Sequence, residues 1–155
     1  MNETHKAAQI ALSLLQRAPG GELGVTKLWG LLFYADLAHT EQFGRPMSGL
    51  VYRKGRHGPI PEQGAEVLER LARQGSVSLR SIRRFHHRQV LCRGMKLPDM
   101  REFDFSERAI LEEVALEWMR ATAYQLESAI RQSEPWRRTR YGSRIPLEQA
   151  TAHIV

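Results

Sequence analysis

"TKLWGLLFYADLAHTEQFGRP", residues 26–46, decides the fold class. Leu28, Leu31, Leu32, Ala35 and His39 recur at the spacing of one helix face, with Trp29, Phe33 and Leu37 beside it. A helix apolar over so much of its circumference belongs at the centre of a core. Thr26 is placed to cap its first free amides with a hydroxyl. At the far end Gly44 can take a left-handed conformation and Pro46 forbids continuation, which makes both structural.

Working outward, residues 4–18 carry Ala7, Ile10, Ala11, Leu14 and Leu15 at helical spacing, and "APGG" stops that helix. On the other side "GRPMSGLVYRKGRHGPIP", residues 44–61, holds four glycines and three prolines. It reads as a short strand, "GLVYRK", followed by a turn in which Gly58 and Pro59 redirect the chain. Pro59 biases Gly58 away from the helical region, and a glycine there adopts angles that side chains resist. Pro61 can then open a third helix, where its missing N–H costs nothing, and Val67, Leu68 and Leu71 form that helix's buried face.

"SVSLRSIRR" and "HRQVLCRGM" alternate apolar and polar residues and read as a hairpin. "LPDMREFD" links it to a helix capped by Ser106 and carrying Ile110, Leu111, Val114 and Trp118. Thr122 and Gln125 have the spacing of a capping box, so a further helix begins at Thr122 and reaches about Gln132. The expectation is an α+β fold, predominantly α-helical, with a small antiparallel sheet and one domain over residues 1–155.

Composition narrows the function classes. The chain has 155 residues, 42% hydrophobic and 26% charged, and a net charge of +6, which suits an acidic partner. The single cysteine, Cys92, can form no intramolecular disulfide and no four-ligand zinc site; it reads as a half-buried strand residue. No basic region with an apolar run opens the chain, and the longest apolar stretch, near "LWGLLFYA", is far short of a bilayer span. A cytoplasmic protein without a membrane partner is expected.

No catalytic, cofactor or metal constellation stands out. His39-Thr40-Glu41 imitates half of a zinc deaminase signature, but the second half is missing, and His39 reads as a helix-end residue at the edge of the core. His86 and His87, being adjacent on a strand, would face opposite sides. Glu107, Glu112, Glu113 and Glu117 read as a solvated helix face. There is no Gly-x-Ser-x-Gly elbow, no phosphate-cradling glycine loop and no His-Glu-x-x-His. The expectation is a binding protein and not an enzyme.

The basic residues cluster instead. Arg80, Arg83, Arg84, Arg88, Arg93 and Lys96 lie on the expected hairpin with no acid among them, and Phe85 sits in their midst. They suit an acidic protein surface or a guard of positive charge on exposed strand edges. They also allow weak, non-specific nucleic-acid binding, though one interleaved aromatic is few for a stacking platform. Tyr52, Arg53, Arg56 and His57 around the Gly58 turn, and Trp136 near the end, complete the candidate partner-binding set. A DNA-binding repressor is the competing class, but its recognition helix would be rich in Arg, Asn or Gln, and no helix here is.

The order of landmarks resembles the Panacea domain, the SocA-type antitoxin family. "KLWGLLFYADLAHTEQFGRPMSG", "VYRKGRHGPIP", "FDFSERAILEEV", "TAYQLESAIRQSEPWRR" and "GSRIPLE" follow one another over about residues 25–148. The matching positions are Lys27, Leu28, Tyr34, Ala35, Asp36, Gly44, Arg45, Pro46, Gly58, Pro59, Asp104, Phe105, Ser106, Pro135 and Trp136. Where many relatives place a Ser-His pair before Pro-Trp, this chain has "SAIRQSEPW". The resemblance implies a non-enzymatic antitoxin that binds a toxin encoded beside it. For at least one member it further implies an adaptor that delivers its toxin to a protease.

Overall fold

The apolar helix is α2, Val25–Phe43, and it runs through the core: Leu28, Leu31, Leu32 and Phe33 are wholly buried. The computed structural model describes residues 3–147, and Glu148, the last residue of "GSRIPLE", lies outside them. α1, Glu3–Gln16, packs on α2 with Ala7, Ile10, Ala11, Leu14 and Leu15 buried, as their spacing predicts. α4, Phe105–Trp118, and α5, Ala123–Arg131, cover other faces of α2. α3, Gly64–Arg73, lies against α1. The helices outweigh two small antiparallel sheets, so the α+β class holds.

Several helix starts differ from their sequence reading. α2 begins before Thr26, which is exposed, because β1, Glu22–Gly24, runs directly into it and leaves Gly24 as the cap. α4 is capped by Asp104 and not Ser106: the Asp104 carboxylate accepts the Glu107 N–H, and Glu107 reaches back to the Asp104 N–H, a reciprocal box. The box expected at Thr122 and Gln125 is present and starts α5. A four-residue helix, α6, Glu134–Arg137, follows where a plain tail was expected.

The first sheet has the order β1–β5–β4, with β4 spanning Val77–Arg84 and β5 His87–Gly94. The β4–β5 hairpin was expected; β1 was too short for any periodicity to reveal it. Cys92 is fully buried on β5, deeper than its half-buried reading, and burial followed by Glu22 pushes its thiol up to about 11. His86 belongs to the turn and not to a strand.

The second sheet corrects the reading of residues 58–61. They form β3, Gly58–Pro61, paired with β2, Tyr52–Gly55, and α3 begins only at Gly64. Two prolines in a four-residue strand are tolerated for a definable reason. Pro59 and Pro61 pair with Lys54 and Tyr52, whose own peptide groups point the other way, to the segment 142–145. Lys54 N donates to Ser143 O at 2.9 Å, Gly142 N to Lys54 O at 2.8 Å and Ile145 N to Tyr52 O at 2.8 Å. The prolines therefore occupy positions where the ladder needs no N–H.

Candidate partner-binding surface

Period-two alternation along β2 sorts the candidates before any chemistry does. Tyr52 and Lys54 point inward, while Arg53 points to solvent. Tyr52 is thus corrected from a partner contact to a core residue, 1% exposed. Its ring stands edge-on to Phe33, with centroids 5.1 Å apart, and its hydroxyl donates to Asp36 at 2.6 Å.

Asp36 is the hub of that region. It is buried in mid-α2 and accepts four hydrogen bonds: Met47 N–H at 2.7 Å, Ser48 N–H at 2.8 Å, the Ser48 hydroxyl and the Tyr52 hydroxyl. Burial pushes its carboxyl above the ordinary carboxylate range, and these donors pull it partly back. Burial and the neighbouring carboxylate push the Tyr52 phenol well above its usual value. Asp36, Ser48 and Tyr52 are each 2% exposed or less, so no substrate reaches them. Their arrangement fixes the 47–52 segment to α2.

Trp136 is corrected in the same way. It is 2% exposed, and the Lys54 ammonium lies 4.9 Å from its ring centroid and 4.7 Å from that of Tyr141. The ammonium donates to the carbonyls of Trp136 and Thr139, each at 3.0 Å. Burial, and then Arg131, lowers the Lys54 pKa. Pro135–Trp136 therefore anchors the chain's last described segment beneath the β2–β3 hairpin.

Other motif residues act as fasteners. The Lys27 ammonium donates to the carbonyls of Met119 and Ala121, at 2.8 and 2.6 Å, filling acceptors left free where α4 ends. Arg45 bonds Asp104 at 2.7 Å and reaches Glu107, which also holds Lys6 at 2.9 Å. Glu107 is consequently buried and not part of a solvated face; Glu112, Glu113 and Glu117 are exposed. His39, wholly buried, spans the Arg45 carbonyl and the Ser106 hydroxyl. Asp104 is held at about 2, first by the Ser106 hydroxyl and then by the Glu107 N–H and Arg45.

The solvent-facing candidates divide into two sets. Arg56 and His57 form the exposed two-residue turn of the β2–β3 hairpin, closed by Gly58 at φ 122°. Arg131 bonds Glu127 at 2.7 Å and donates to the Arg56 carbonyl at 3.1 Å, steadying that turn. Arg53, beside it, is committed to Glu62 at 2.7 Å, as is Arg144 at 2.8 Å. Gly44, at φ 83°, and Pro46 end α2 as expected.

On the other hairpin Arg80 has an acid after all: Glu22 of β1 takes it bidentately at 2.9 and 3.1 Å. Arg83, Arg84 and Arg88 are exposed and enter no ion pair among the described residues. Asp36 and Lys54 organise this region through partners distant in sequence. Asp36 offered a signal, a carboxylate within the run Leu28–Ala38, which holds no other charged residue.

Among the described residues no group of His, Cys, Asp and Glu is placed to hold a metal ion, and no helix is long and apolar enough to cross a membrane. No curated protein and no solved structure matches the chain. The family model described as "Antitoxin SocA-like, Panacea domain" does match, over residues 28–137, and that span includes the α2 hub, both hairpins and the Pro-Trp anchor. The chain belongs to the SocA-like Panacea antitoxin family.

Proposed function

We propose that this protein is an antitoxin that neutralises a toxin encoded beside it by direct protein–protein binding, with the β2–β3 turn as its docking point. Family membership over residues 28–137 carries the reading. The turn supports the docking point. Arg56 and His57 project from a hairpin whose buried face bonds to Asp36 and Trp136 and whose outer edge bonds to the segment 142–145, so their backbone is held rigidly while their side chains stay exposed. A rigid scaffold presenting a polar loop tip is a common design for recognition, because little order remains to be lost on binding.

The test is genetic and then physical. Expression of the adjacent reading frame should arrest growth, and co-expression of this protein should restore it and yield a co-purifying complex. Arg56→Ala combined with His57→Ala should keep the parent melting temperature yet weaken rescue. Full rescue by the double variant would remove the turn from the interface, and a harmless neighbouring frame would remove the antitoxin reading.

A further inference from the structure

The distal half of the β4–β5 hairpin lies outside the docking point proposed above. From Arg83 to Arg88 all six residues are exposed, so the ribbon stands clear of the core. Register puts Arg83 directly opposite Arg88, and Arg84 opposite His87. A like-charged pair directly across an antiparallel ladder is destabilising, and no carboxylate relieves this one among the described residues. Alternation sends the Arg83–Arg88 pair to one face of the ribbon and Arg84–His87 to the other. At the tip Phe85 is 87% exposed and takes φ 49°, with His86 at φ 73°. Positive φ at both turn positions is a requirement that Asn-Gly ordinarily fills, and for a bulky aromatic it is strained.

We propose that this ribbon inserts into the major groove of duplex DNA, with Arg83, Arg84 and Arg88 on the flanking phosphates and Phe85 against the base edges. The placement of charge selects the occupant. A flat acidic protein surface meets one face of a ribbon, whereas a groove presents a row of phosphates to each. The major groove of B-form DNA admits a two-stranded ribbon; that of A-form RNA is too deep and narrow. Apolar contact with thymine methyl groups gives an exposed Phe85 a use there. Recognition is mostly of the phosphate backbone, so binding is sequence-tolerant and no tighter than about 10⁻⁶ M at physiological salt.

Fluorescence anisotropy with a labelled mixed-sequence DNA duplex, over a salt series, tests this. Replacing Arg83, Arg84 and Arg88 together by alanine should make the slope of log affinity against log salt shallower by about 2.7, three contacts at about 0.9 each. The same three positions as lysine should keep the slope, and Phe85→Ala should weaken binding several-fold without changing it. Replacing Arg137, Arg138 and Arg140 by alanine should leave binding as in the parent; an equal loss there would overturn the proposal. Equal affinity for duplex RNA would overturn it too, as would arginine-dependent binding of polyglutamate in place of DNA. Phe85→Ala, which weakens DNA binding, should still rescue growth from the toxin, so failure of the DNA reading and of the antitoxin reading are separately visible.

Discussion

Two hairpins among the described residues are closed by two-residue turns, and they are used in opposite ways. β2–β3 is a clasp. Its inward residues, Tyr52 and Lys54, bond to Asp36 in mid-helix and to carbonyls at the far end of the chain, and its outward Arg53 is matched by Glu62. β4–β5 is anchored only at its base, where Val77 and Cys92 are buried and Arg80 meets Glu22; beyond that its arginines face water on both sides. Even the turns differ. Arg56–His57 keeps ordinary angles and leaves the left-handed position to Gly58, whereas Phe85–His86 takes two positive φ values without any glycine. Charge content is therefore a poor guide to exposure of purpose: a cation is structural where a carboxylate or carbonyl answers it, and available for a partner where none does.

That contrast can be broken most forcefully at the clasp. Asp36→Ala strands two hydroxyls and two backbone N–H groups in the core, and should cost about 3–5 kcal/mol in urea unfolding. A loss below about 1 kcal/mol would show that the hub is not what fixes the hairpin to α2. Gly58→Val comes next. Nothing lies near its added Cβ, so the whole effect is backbone strain at φ 122°, about 1–3 kcal/mol, with a parallel loss of the neutralisation proposed above. A Gly58→Val protein as stable as the parent would refute that account.

The two motif carboxylates give pH slopes of opposite sign. Asp104 is held at about 2, below its ordinary 3.8, so its contribution is present above that range and lost as pH falls through about 2. The stability advantage of the parent over Asp104→Asn should therefore vanish in acid. Asp36 is raised above 3.8, so its contribution is complete below that value and declines as pH rises through its folded-state value. The gap between the parent and Asp36→Asn should narrow in that direction, and a gap that widens would place the shift in the wrong sense. The smallest effect belongs to the ribbon: the alanine triple at Arg83, Arg84 and Arg88 should stay within about 0.5 kcal/mol of the parent, or gain slightly as repulsion is relieved. A clear loss of stability would make those arginines structural.

How far these roles were legible follows from the range of the interactions. α1, α2 and α5 were readable because periodicity and the Thr122–Gln125 box are local signals. The Asp104 cap was also local, since Glu107 lies three residues on; Ser106 competed with it only because serine is an equally good cap type. β3 was not legible, because its prolines argue against a strand until segment 142–145 is known to take the far edge of β2. Tyr52 and Trp136 were candidate contacts by their place beside the Gly58 turn and near the end of the chain, and both are buried. Their burial rests on Asp36, sixteen positions from Tyr52, and on Lys54, eighty-two from Trp136, pairings that no short window contains. Arg56, His57, Arg83 and Arg84 are exposed, as their polarity implies.

The union of β2 with residues 142–145 has a consequence for how the protein is made. During synthesis α1, α2 and β2 leave the ribosome while the partners of Lys54 have yet to be translated, so its ammonium and one edge of the strand wait for nearly ninety further residues. Until then the Asp36 hub can form but the clasp cannot close, and the nascent chain carries an open strand edge of the kind that recruits chaperones and proteases. A premature stop or a clip ahead of Trp136 would leave the polypeptide permanently in that half-closed condition. Survival of the chain is thereby coupled to translation through residue 145.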